Sequence, residues 1–582
     1  MGGASMNGAA RLFFFMLNEA LSRVDATLRS NTNAFESQFK FLPADRGMTK
    51  LNRVELRGRS RRRKAAVWAL VFVQALLAPS VAMEARYKNP ILFADYSDPD
   101  VIRDGAKYYL VASTFHFVPG IPILQSGDLV HWTIIGHVVQ RMEMDPRYSM
   151  IGGDRYGKGV WAPSIRRHNG LFYVYFPTPS EGIFVSTAPK MSGPWSAPTA
   201  VIAEPGLEDP CPFWDDDGQA YLVHSKTGAG PLILHRMSTD GRHVLDAGKI
   251  IVQDPVHLPI LEGPKLYKRN GYYYIFAPFG GVGSGAQAVL RSRHIDGPYD
   301  YRVVLAQGAT NINGPHQGAY VETPDGQGWF VHFQADGAHG RIVHLEPVRW
   351  KEDWPAIGDD PDGASAGQPV SSSPIPDDVR AASQQRPQTS DEFNEDKLAP
   401  QWEWNHNPDD AHWSLSARPG FLRLIPIHAD GLLSARNTLT ECMQDNSFEF
   451  TTRIDLARIK SGVHAGLAMF EKSASGLEVV QTGSERRLFF FHLQSRAPGP
   501  ALKQGILQLR VHVDGDEARY SFSLDDGKSF QDLGTPTPIR FSWWKGSRPA
   551  VFAYTTERTG QTDSGAVDFD WARYEPMGVN PW

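Results

Sequence analysis

At 582 residues the chain is too long for one ordinary hydrophobic core, so two or three domains are expected. A net charge of −5 offers no basic surface for nucleic acid, and two cysteines far apart, Cys211 and Cys442, exclude both a disulfide framework and a CxxC metal site. Aromatics make up 11% of the chain, a share that suits a β-rich core and also suits stacking on sugar rings.

The N-terminal 82 residues read as an extension and export signal. Residues 57–64, RGRSRRRK, are basic, and residues 65–82, AAVWALVFVQALLAPSVA, are apolar and end in the small-x-small triplet Ser80-Val81-Ala82. That order fits a cleaved signal peptide, with a mature chain starting at Met83. The apolar run is also near the length of an uncleaved membrane anchor. Met48 would place the basic stretch close to a start, and the arginine pairs leave twin-arginine export open. The expectation is a secreted or periplasmic protein, free of the membrane once the signal is removed.

From Ser97 onward the text repeats. SDPDVIRDGAKYYLVAS, WAPSIRRHNGLFYVYF, EDPCPFWDDDGQAYLVHS, EGPKLYKRNGYYYIFAP and NGPHQGAYVETPDGQGWFVHFQ each carry a proline near the start, an alternating apolar segment, a turn with glycine and an aromatic strand. Their prolines, at 99, 163, 210, 264 and 315, recur every 47–64 residues. Each unit reads as a β-hairpin, with further strands after several copies. Helical periodicity is nearly missing. Five such units predict an all-β, five-bladed β-propeller over residues 83–358. Residues 359–390, rich in Pro, Ser, Gly and Asp, read as a linker. Residues 391–582 turn strand-like again, with many short alternating segments, and predict a β-sandwich.

The repeat heads bring Asp98, Trp161, Asp209, Glu262 and His316 to one phase. In a propeller that phase converges at one end of the axis. An acid before proline is commonly a turn cap. Three at one phase of a repeat point instead to a shared pocket. Two carboxyl groups across a pocket are what glycosidic hydrolysis needs: one protonates the leaving oxygen and the other activates water or attacks. A third can raise the acid's pKa and orient it. Asp95 and Asp100 compete with Asp98, and Glu208 competes with Asp209; periodicity alone does not separate Asp98 from Asp100, which share a strand face. Phe115 and Trp161 are candidate walls of a sugar subsite. The triple acid at 215–217 lacks the spaced ligands of a calcium loop and reads as a hairpin turn.

Residues 89–350 closely resemble glycoside hydrolase family 43, the five-bladed propeller xylosidases and arabinofuranosidases. The resemblance rests on NPILFADYSDPDVIRDGAKYYLVASTF, GVWAPSIRRHNGLFYVY, EDPCPFWDDDGQAYLV, EGPKLYKRNGYYYIFAP, NGPHQGAYV and GRIVHLEPVRW, which span every blade. It implies a metal-independent, inverting mechanism with Asp98 as general base, Glu262 as general acid and Asp209 as modulator of the acid. It implies that Arg341 contacts the sugar or an active-site acid, and that His316 sits on the propeller axis, where some relatives hold an ion or water. No cofactor is required on this reading, though a structural calcium on the axis is an option. Glu208 departs from the apolar residue found in many relatives. The C-terminal half resembles the concanavalin A-like domain that follows the propeller in some members. There a loop closes one side of the pocket. The aromatics of SWWKG (542–546) could bind polysaccharide, and a structural role is the one expected of them. The expected activity is exo-hydrolysis of xylan or arabinoxylan oligosaccharides to xylose or arabinose. The alternatives are an endo-arabinanase and a non-catalytic carbohydrate-binding propeller. Oligomeric state is not legible.

Overall fold

A computed structural model of the chain describes residues 85–360, 366–375, 385–558 and 565–578. The expected export signal lies outside the described residues. Five four-stranded antiparallel sheets follow one another in the chain. The first blade comprises Asp100–Asp104, Lys107–Val111, Gly120–Ser126 and Trp132–Val139. The second comprises Ser164–His168, Leu171–Thr178, Gly182–Ala188 and Thr199–Ile202, and the third Leu207–Trp214, Ala220–Lys226, Leu232–Met237 and Lys249–Val252. The fourth comprises Lys265–Arg269, Tyr272–Phe279, Ala286–Ser292 and Asp300–Leu305, and the fifth His316–Glu322, Gly328–Ala335, Arg341–Lys351 and Trp354–Ile357. The first strand of each blade packs toward the axis, against its counterparts in neighbouring blades. Helix is limited to single 3-10 turns among the described residues.

Local chemistry sets the hairpins. Asn169-Gly170 and Asn270-Gly271 all have positive φ, and each pair joins two strands whose flanking residues face each other. Asn-Gly tolerates that left-handed twist, which matches the twist of the strands. The triple acid is indeed a turn: Gly218 N–H donates to Asp215 O, and Asp215 holds Lys268 and the Tyr273 hydroxyl.

Blades cohere through apolar side chains shared between neighbours. Tyr274, Phe276, Phe330 and Ile357 pack between the fourth and fifth blades, each nearly or wholly buried. Burial of such a side chain stabilises by about 1.5–3 kcal/mol. The ring closes where Leu92 bridges Val343 and where Tyr87, Ile91 and Leu92 join a core with Val331 and Leu345. Here the expected linker is corrected. Ser372–Pro374 pairs with Arg86–Lys88, and Gly367 and Gln368 bridge Leu305 and Asp359, so residues 366–375 are laid along the propeller. A Pro- and Ser-rich composition predicts missing core residues, but backbone hydrogen bonds to a neighbouring edge ask for none.

Among the described residues the C-terminal half contributes eight strands to each of two stacked sheets, one of nine strands and one of eight. The larger sheet borrows an edge from the propeller: Phe117–Val118 pairs with Glu403–Asn405. Beside that seam, buried Arg548 binds Glu403 at 2.7 Å and lies over the Phe117 ring. Asn407 exchanges two hydrogen bonds with the backbone of Met142.

Candidate active site

Asp98 and Asp209 each stand just before a proline in a left-handed conformation, with φ of 54°. That geometry costs on the order of 1 kcal/mol and is milder for Asp, whose short side chain tolerates it. Glu262 reaches the same phase with the left-handed residue displaced onto Gly263, φ 59°. The turn at each head aims a carboxyl group into a cavity of about 360 Å³. Its walls include Phe115, Trp161, Glu208, Arg341 and Trp544.

Asp98 is held from both sides. Arg341 Nη1 donates to Oδ1 at 2.9 Å and the Ser113 hydroxyl donates to Oδ2 at 2.6 Å. The Arg341 guanidinium is itself braced over the Phe333 ring. Of the two expected options for Arg341, it therefore takes the contact with an acid. Its competitors have other work. Asp100 is wholly buried and binds Arg166 and the Ile165 N–H of the second blade. Asp95 clasps the backbone of Arg341 and Gly546.

In the same cavity, Glu262 Oε1 lies 2.7 Å from His316 Nε2. Glu262 itself also lines the cavity. His316 is therefore the partner of an acid and also part of the cavity lining. The polar atoms beside it without a partner are His316 Nδ1 and Gln317 Oε1, so the side chains here offer at most one oxygen of the six to eight that calcium takes, and water would have to supply the rest. Asp209 Oδ2 accepts from Gly263 N–H at 2.8 Å and from Ser225 at 3.3 Å, which ties it to the segment carrying Glu262.

Carboxyl oxygens of Glu208, Asp209 and Glu262 lie within 4.8 Å of one another. Burial, then the charges of Glu262 and Asp98, push Asp209 up to about 7, against the opposing pull of Gly263 N–H and Lys265. Burial, Asp209 and Glu262 push Glu208 up to about 9. A carboxyl whose folded pKa exceeds its unfolded value stabilises the fold fully below the unfolded pKa and loses that contribution as pH rises through the folded one. Asp209→Asn is therefore expected to melt above the wild type at pH 8, with the gap closing toward pH 4. Scanning calorimetry at both values checks this; a gap independent of pH would remove the buried charge as its cause.

The fourth wall comes from the sandwich. Lys545 Nζ donates to Asp95 O at 2.7 Å, and Gly546 N–H donates to Asp95 Oδ2 at 2.8 Å. This clasp sets Trp544, 48% exposed, against Trp161 with ring centroids 6.1 Å apart. Phe115 in turn stands edge-on to Trp161 at 6.2 Å. The structural reading of SWWKG is thus corrected: Trp543 packs on Tyr156, but Trp544 lines the cavity. Sequence reasoning missed Ser113 and Gln317, which carry no local signal. It noticed Glu208 as a competitor of Asp209 and as a departure from the family pattern, and gave it no role.

The sequence pattern of glycosyl hydrolases family 43 matches residues 87–355, and that of the β-xylosidase C-terminal concanavalin A-like domain matches residues 390–575. The chain is 43% identical over 469 residues to a protein of Xylanibacter ruminicola with a provisional β-xylosidase name, covering 80% of this chain and 86% of that one. It is 33% identical to a β-xylosidase of Formosa agariphila, covering 85% and 91%. A crystal structure of a family 43 protein from Bacillus licheniformis superposes with a TM-score of 0.73 at 27% identity, over 85% of this chain and all of that one. Both halves match in order and at nearly full length, so this chain belongs to glycoside hydrolase family 43 and is an O-glycosyl hydrolase.

Proposed function

We propose that the protein is an exported, inverting exo-glycosidase that releases xylose, arabinose or both from the ends of xylan and arabinoxylan oligosaccharides. The observation that carries this reading is that Asp98, Asp209 and Glu262 line one cavity together with Trp544 of the sandwich. Relatives named β-xylosidase and non-reducing end α-L-arabinofuranosidase support both sugars. The order basic, apolar, small at residues 57–82 supports export.

In the proposed reaction Glu262 gives its proton to the leaving oxygen as the bond from that oxygen to the anomeric carbon breaks. Water attacks the opposite face and Asp98 takes its proton, so the configuration inverts. Arg341 and Ser113 hold the base in line. His316 orients the acid. Asp209 supplies a nearby negative charge that favours the protonated acid. Trp544 and Trp161 wall the cavity, where a sugar ring stacks.

The test is product analysis on nitrophenyl β-xyloside, nitrophenyl α-L-arabinofuranoside, xylobiose and linear arabinan, with the first-formed anomer read by NMR. Release of α-xylose from a β-xyloside is expected. A β-anomer would overturn inversion, and internal cuts in arabinan would overturn the exo reading.

A further inference from the structure

Glu208 and Asp209 are sequence neighbours, and in a regular strand they would face opposite ways. The strand is not regular there. Asp209 is left-handed, and the register with Ala220–Lys226 slips between Glu208 and Cys211. Both side chains consequently line the same cavity.

Glu208 is 4% exposed. Its hydrogen bonds come from backbone: Ala229 N–H donates to Oε1 at 3.1 Å, and Gly228 N–H adds to it. The charged groups around it are mostly acids. Asp209 and Glu262 lie within 4.8 Å, and Asp98 is beyond Asp209. The cations and the imidazole that face the cavity or Asp209 are engaged elsewhere. Arg341 binds Asp98, and His316 binds Glu262. Lys265 Nζ donates to Pro163 O and Ser164 Oγ. Lys226, on the strand opposite Glu208, is exposed to solvent. Glu208 makes no ion pair among the described residues. A third buried charge at this spacing has no compensation, so the group keeps its proton.

We propose that Glu208 works as a neutral carboxylic acid in the wall of the sugar pocket. It donates its O–H to a substrate hydroxyl and so determines which uncharged sugar is held. This rests on the reading of the cavity as the site of glycosidic cleavage. Glu208 takes no proton from water and gives none to the leaving group. Its part is recognition, and it ends when the group ionises.

The experiment compares wild type, Glu208→Gln and Glu208→Leu on nitrophenyl β-xyloside, nitrophenyl α-L-arabinofuranoside and monodeoxy analogues of both. Gln keeps a neutral donor and is expected to stay within about 3-fold in kcat and KM. Leu leaves the hydroxyl unpaired and is expected to raise KM about 10-fold or more. On the analogue lacking the hydroxyl that Glu208 reads, the Leu variant should lose nothing relative to wild type. Wild-type KM should climb above pH about 9, where the donor ionises, while that of the Gln variant stays level. Equal KM for Gln and Leu on every analogue would overturn the proposal. So would a Gln variant whose kcat profile shifts along the pH axis between 5 and 8, the mark of a standing charge removed. So would a wild-type profile changed by EDTA or added calcium, the mark of an ion among the three acids. If none of these glycosides is cleaved, the glycosidase reading fails first. Thermal melts still decide the state of Glu208: a neutral group predicts that the Gln variant melts above wild type at pH 9 and level with it at pH 5.

Discussion

Glu262→Ala is expected to cut turnover of xylobiose by at least ~100-fold, the low end of what general acid catalysis contributes. A nitrophenyl substrate should lose much less, because its leaving oxygen is stable as an anion and needs little protonation. The side chain is well placed for such a clean deletion. It is partly exposed to the cavity, and its one side-chain partner is His316, at 2.7 Å. The backbone of the turn is held separately, by Glu262 N–H donating to Pro278 O. Steady-state kinetics on the two substrates read the split directly. Equal losses on both would mean that Glu262 holds the sugar or the fold, and the proposed acid would have to be sought elsewhere.

Asp98→Asn is expected to lower kcat by ~100-fold or more on both kinds of leaving group, since the attacking water must lose its proton whichever group leaves. The substitution is nearly isosteric. Its amide oxygen still accepts from Arg341, and the Ser113 hydroxyl, which donates in the wild type, can turn to accept from the amide nitrogen. KM should change little and the melting temperature should hold. Loss confined to xylobiose would give Asp98 the role of an acid. A large fall in melting temperature would make it a structural partner of Arg341.

The two predictions separate because the carboxyl groups sit in different company. Asp98 has two fixed donors, one of them a guanidinium. Glu262 has an imidazole and two neighbouring acids. The same cavity therefore offers one carboxyl group held by two donors and one set beside two other carboxyl groups. Glu208 adds a third kind, buried and served by backbone N–H alone.

Much of this was legible in the chain. Five proline-headed repeats with aromatic strands specify five blades, because strand period and turn residues act over a few neighbours. Asn270-Gly271 closes its hairpin wherever it is placed. The phase of Asp98, Asp209 and Glu262 within the repeat was enough to bring them to one cavity. The family resemblance, not periodicity, separated Asp98 from Asp100. Tertiary structure then showed why the two differ: Asp100 is consumed by Arg166 of the next blade.

Other decisions were made only by the closed ring and the docked sandwich. Lys545 meets Asp95 across 450 residues, and that contact turns SWWKG from filler into a pocket wall. No local pattern encodes a partner so distant, since the contact exists only once both lobes have folded. Glu208 faces the cavity because one left-handed residue and one slipped register break the alternation by which strand faces are read. The stretch around Ser372 lies along the propeller because an edge at Arg86–Lys88 had backbone groups to satisfy, a demand that side-chain composition does not report.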